Sequence, residues 1–144
     1  MKKQSIAVLL LSCVLGFGAW AADRLAIAEP INKGGMTPQE IEAVEKWCAA
    51  PHVRPRILVS HYPMTEDHPL LRLRHRLFRN RRVLELMENK SIDLVLCGHI
   101  HKPYLKVDAE GRGECCAGSV TSNRGFFEID VTPAGTFSFR RVDI

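Results

Sequence analysis

No two cysteines of this chain stand in a C-x-x-C spacing, and the five present, Cys13, Cys48, Cys97, Cys115 and Cys116, make an odd set. Neither a zinc knuckle nor a paired disulfide framework is suggested, and free thiols are the plain reading. Cys115 and Cys116 are adjacent, so in a strand they would face opposite sides and would not ligate one metal together. Internal repeats and low-complexity linkers are also missing, which leaves one compact domain as the expectation for 144 residues. No apolar run reaches the about 20 residues of a membrane span, so no transmembrane segment is expected. The net charge of +4 and pI near 8.9 fall short of the basic footprint of a nucleic-acid binder, and no specific nucleic acid is expected as a partner. Acids are lacking over residues 72–82, where Arg72, Arg74, Arg76, Arg79, Arg81 and Arg82 crowd together. With Leu70, Leu73, Leu77 and Phe78 free to pack, these arginines read as the solvated face of a helical segment.

The first residues support two readings. Lys2 and Lys3, the apolar stretch from Ile6 to Gly18 and the small-x-small Ala19-Trp20-Ala21 together resemble a signal peptide over 1–22, which would place the protein in the periplasm or outside the cell. Alternatively, Ile6 to Cys13 is a buried strand, a continuous apolar run of the kind that a sheet covered on both faces requires, and residues 14–36 are its exit loop. The second reading is the one adopted: it makes residues 1–36 part of the domain and the protein cytoplasmic.

Further along, Thr37-Pro38-Gln39-Glu40 has a capping box with proline at the first helical position, and Ile41, Val44 and Trp47 or Cys48 recur at helical spacing. The pattern predicts a helix over 37–49. Arg56 to Ser60 predicts a short buried strand running into His61-Tyr62-Pro63, and Ile92 to Cys97 a second one stopped by Gly98. Residues 70–89 read as helical with a break and new cap at Asn80. After Pro103 the chain turns β-rich, with strands expected at 114–120, 126–131 and 136–142 and turns at 123–125 and 133–135.

Functional groups in α/β sheets gather at the carboxyl ends of strands, where loops converge on a crevice. Both histidine motifs fall at such ends. Read as extended chain, His99 and His101 leave the same side while Ile100 points into packing, and Gly98 lets the backbone turn. Neutral imidazole is the commonest metal ligand, so His61, His99 and His101 are the candidate ligands. His52, His68 and His75 have no such setting and read as solvated residues; Glu66 and Asp67 could supply a carboxylate but lie in an ordinary polar loop. Tyr62 and Lys102 fall near the site without a specified role.

Arg56-Ile-Leu-Val-Ser-His-Tyr-Pro63 and Asp93-Leu-Val-Leu-Cys-Gly-His-Ile-His101 resemble the last two metal-binding motifs of the calcineurin-like metallophosphoesterases. A weaker likeness continues through Ala117-Gly118-Ser119-Val120-Thr121, over about residues 37–142. The resemblance implies an α/β fold, the distal half of a four-layer αββα sandwich, with residues 37–144 as the C-terminal part of the domain. It implies a site for two divalent transition metals, manganese, iron or zinc, with His61 and His99 on one ion and His101 on the other. Such ions activate water for in-line attack on phosphorus and neutralise the phosphoryl oxygens, so the implied substrate is a small phosphoester, phosphodiesters among them.

The departures from the family pattern are large. Asp-x-His, Gly-Asp-x-x-Asp and Gly-Asn-His-Asp/Glu have no counterpart among the 144 residues. No acidic ligand is identified, and the family's catalytic histidine is missing, so the catalytic residue is unknown. The expectation is a phosphoesterase fragment whose partner is the missing N-terminal half of the domain and which alone has little or no activity. Two other readings stay open: a noncatalytic metal-binding or interaction remnant, and a mononuclear zinc hydrolase built on the three histidines.

Overall fold

The computed structural model describes residues 4–8, 23–26, 36–52, 55–65 and 81–144. Its elements in chain order are β1 (Gln4–Val8), β2 (Asp23–Ala26), α1 (Pro38–Ala49), β3 (Arg56–Val59), α2 (Arg81–Glu88), β4 (Leu94–Cys97), β5 (Tyr104–Val107), β6 (Gly113–Cys116), α3 (Val120–Asn123), β7 (Gly125–Val131) and β8 (Phe137–Asp143). They form a mixed α/β fold with two sheets. The larger has the order β2-β3-β4-β6-β5, parallel except for β5, and the smaller has the antiparallel order β1-β7-β8.

Helix α1 begins where local chemistry dictates. The Thr37 side chain accepts from the Glu40 amide, the Glu40 carboxylate accepts from the Thr37 amide at 2.6 Å, and Pro38 opens the helix. Ile41 and Val44 turn inward. The parallel strands β3 and β4 are apolar because both faces are covered. On one face, Ile57, Leu94, Leu96 and Cys115 pack against Phe127, Ile129 and Phe137 of the smaller sheet. On the other, Leu58, Val95, Cys97 and Cys116 pack against Val44 of α1 and Val83 of α2. Cys115 and Cys116 thus face opposite sides, and Cys48, Cys97, Cys115 and Cys116 are free thiols. The elements described make three layers: small sheet, large sheet and helices. No helix among the described residues is long and apolar enough to cross a membrane.

Several boundaries depart from the sequence pattern. The apolar run expected as a strand over 6–13 is described only as β1, which pairs with β7 in the smaller sheet. The strand beside β3 is instead β2, inside the segment 14–36 expected to be a loop. An edge strand of four residues needs only register with one neighbour, and its pairing is non-local, so no local pattern announces it. The strand expected at 114–120 stops at Cys116. Gly118 stands at φ +76, where a Cβ would meet Pro103 and the Asn123 side chain at 2.9 Å, and Ser119 then caps the one-turn α3. The expected helix over 70–80, the cap at Asn80, most of the arginine cluster, Glu66, Asp67, His68 and His75 lie outside the described residues.

Candidate metal centre

Strands β3 and β4 are parallel neighbours in the register Val59↔Leu96, so the residues just beyond them emerge side by side. The ladder continues past both strands: the Ser60 amide donates to Leu96 O at 2.9 Å, and the Gly98 amide to His61 O at 3.2 Å. That brings His61 Nε2 within 3.1 Å of His99 Nδ1, the rings nearly perpendicular with centroids 5.0 Å apart. Tyr62, only 3% exposed, braces both, its ring 4.7 Å from that of His61 and 4.5 Å from that of His99. Although His61 is exposed as a residue, loss of water on the packed side of its ring lowers its pKa from the ordinary 6.5.

His101 does not join this pair. It is exposed, residues 99–102 form bends, and no group of three or more metal-binding side chains converges among the described residues. The extended-chain reading of Gly98 to His101 is therefore corrected. Ile100 donates its amide to Gly98 O at 2.6 Å, closing a turn centred on His99, whose φ is +60. The left-handed residue is His99 itself rather than Gly98. Ile100 does pack against the helix-side core, as its apolar character requires. His52 and Lys102 are exposed.

A left-handed backbone costs a residue with a Cβ roughly 1–2 kcal/mol, and glycine escapes most of that. His99→Gly should therefore be more stable than His99→Ala by about 0.5–1 kcal/mol, measured by urea denaturation of the metal-free protein. Equal stability of the two variants would show that the turn relaxes without strain.

The sequence pattern did not mark Glu114 or Cys116 as site residues. The Glu114 carboxylate is fully buried and accepts from the Met64 amide at 2.5 Å, the Thr65 amide at 3.2 Å, the Thr65 hydroxyl at 2.6 Å and the Tyr104 hydroxyl at 2.7 Å. Lys106 Nζ donates to Thr65 O at 2.5 Å. Cys116 Sγ lies 3.4 Å from both Gly98 O and Ile100 O. The Cys97 thiol is pushed far up by its hydrogen bond with Cys116 and by burial, and burial pushes Cys115 up to about 12, so both stay protonated. Tyr104 is likewise raised, first by burial. The only advance signal of Glu114 was a carboxylate inside an otherwise apolar strand segment.

The neighbouring parallel strands β3 and β4 thus present two imidazoles together at their carboxyl ends. Residues 19–103, more than half of the chain, match the calcineurin-like phosphoesterase family, and the chain belongs to that family. No curated protein matches the chain. Membership carries phosphoesterase-type hydrolysis as the general function, and the family generally uses divalent metals.

Proposed function

We propose that this chain supplies the histidine side of a divalent-metal site that hydrolyses small phosphoesters, phosphodiesters among them, with His61 and His99 holding one cation and His101 a second. The observation that carries the reading is the 3.1 Å approach of His61 Nε2 to His99 Nδ1 at the ends of adjacent parallel strands. Two imidazole nitrogens bound about 2.0–2.1 Å from a tetrahedral zinc lie about 3.3 Å apart. The observed spacing is close to that value, and a bound ion would replace the hydrogen bond between the two nitrogens. A bound manganese, iron or zinc would polarise the phosphoryl oxygen and acidify water. His61 and His99 would hold that ion, and Tyr62 keeps their rings from collapsing into the sheet.

His101 is assigned from its motif alone. Within the family pattern, the bridging carboxylate comes from motifs not found in these 144 residues. We assign those ligands to a separate segment and read residues 37–144 as the distal part of a four-layer αββα sandwich. Mixing the chain with a polypeptide bearing Asp-x-His, Gly-Asp-x-x-Asp and Gly-Asn-His motifs should yield metal-dependent turnover of an activated phosphodiester, lost in His61→Ala and His99→Ala. The chain alone should turn over little, because a two-metal clamp needs both ions about 3.5–4 Å apart. Turnover by the chain alone that needs all three histidines would replace this proposal with a self-sufficient zinc hydrolase. Turnover indifferent to His99→Ala would refute both.

A further inference from the structure

Neither β5 nor β6 carries a candidate ligand, yet β6 touches both loops that do. Glu114 and Cys116 stand two residues apart on one strand and so share a face, the face toward the helices, where Cys116 is part of the core. From the loop after β3, Glu114 takes both consecutive amides, Met64 and Thr65, and the Thr65 hydroxyl. From the loop after β4, Cys116 meets the carbonyls of Gly98 and Ile100, the residues on either side of His99.

We propose that Glu114 and Cys116 are positioning residues that set the separation of His61 and His99, each holding one ligand loop against the same strand. A fully buried carboxylate is tolerated only when donors replace its water, and three of its four donor groups belong to the loop of His61. If that loop moves, the charge is stranded, so the loop has one favourable place. Charge-assisted bonds of this kind are short and directional. The thiol is a weak donor with one hydrogen, shared between two carbonyls. It acts on a turn already strained at His99, where a small bias selects one conformer. Tyr104 and Lys106 of β5 reinforce the same loop through Glu114 and Thr65 O.

The proposal rests on His61 and His99 sharing a cation, and its test separates the two ideas. The probe is cobalt(II), titrated into the 144-residue chain and read by its visible absorption, alongside the ring-to-ring nuclear Overhauser effect between His61 and His99 in the metal-free protein. Glu114→Gln and Cys116→Ala should each weaken cobalt binding by about 10–100-fold, the range typical when the support of a ligand is lost, and should weaken the ring-to-ring signal. Cys116→Ser, which keeps a donor, should stay within about threefold of the parent, by the same scale. Ile129→Ala, a buried substitution on β7 in the core cluster that contains no residue of either loop, should lower the melting temperature but leave both site readouts unchanged. If Glu114→Gln does not fold, Thr65→Ala removes only the hydroxyl donor to Glu114 and should act in the same direction more gently. Loss of stability in Glu114→Gln and Cys116→Ala with cobalt affinity and ring contact both preserved would overturn the positioning role. A parent chain that binds no cobalt but loses its ring contact in these variants would sink the shared-cation reading and leave the positioning role standing.

Discussion

Alanine at His99 should cut the affinity of the chain for zinc by at least 100-fold, and alanine at His61 should do the same. The basis is geometric. His61 Nε2 and His99 Nδ1 converge to 3.1 Å, and no group of three or more potential ligands forms among the described residues. Removing either leaves a single imidazole, and a single imidazole cannot chelate. Loss of a ligand should exceed the roughly 10–100-fold effect of losing its support, and 100-fold corresponds to about 2.7 kcal/mol. The two substitutions should be far from additive: once the pair is broken, deleting the second ring removes little more. His101→Ala should cost less in this chain, because the exposed His101 forms no three-ligand group with the pair among the described residues, and the exposed His52→Ala should cost nothing. Titration calorimetry and metal analysis of the purified variants check each point. Undiminished zinc content in the His61→Ala, His99→Ala double variant would remove these residues from the site.

Much of this arrangement was legible in the residues because it is local. Thr37 and Glu40 define the start of α1 by bonds three residues apart, and the apolar runs of β3 and β4 need no partner to be recognised as buried. Once two parallel strands were expected, a histidine just past each had to emerge near the other. What was not legible depends on pairing or on strain. β2 contains Asp23 and Arg24 and owes its existence to β3. β5 exposes Leu105 and Val107, so no alternation of burial marks it as a strand. The turn at His99 inverted a reasonable argument, since Gly98 could adopt a left-handed conformation but His99 does so. Ser119 did offer a local capping signal for α3, which the β-rich surroundings obscured. Glu114 was hidden for a different reason: its donors Met64 and Thr65 lie some fifty positions earlier, and nothing in a single sequence states that distance.

Asp93→Ala should destabilise the fold by about 3–5 kcal/mol, the cost typical of removing one partner from a buried ionic network. Asp93 is 2% exposed and Arg56 only 1%. Asp93 Oδ2 accepts the Arg56 amide at 2.8 Å, and Oδ1 lies 3.4 Å from Arg112 Nε. The Arg56 guanidinium in turn donates to Cys48 O and, at 2.5 Å, to Ala50 O at the end of α1, with its carbon 5.4 Å from the Trp47 ring centroid. A cation at a helix C-terminus meets the negative end of the macrodipole, so this one side chain joins α1 to β3 while Asp93 joins β3 to the start of β4. Alanine at 93 would leave a buried amide without its acceptor and remove the negative charge facing the Arg112 guanidinium. Asp93→Asn keeps an oxygen for the Arg56 amide and loses only the charge, so it should cost clearly less than the alanine variant. In urea, the midpoint should fall in the order parent, asparagine, alanine, with similar slopes if all three unfold in two states. The consequence reaches the metal centre, because β3 and β4 hold His61 and His99 in register only while their amino ends are pinned. Asp93→Ala should therefore also weaken zinc binding under conditions where the fold is partly populated, whereas under strongly native conditions affinity should recover. An alanine variant within about 1 kcal/mol of the parent, well below the range for a buried pair, would show that water or Arg112 readily replaces the carboxylate and that the strand ends are held by the sheet alone.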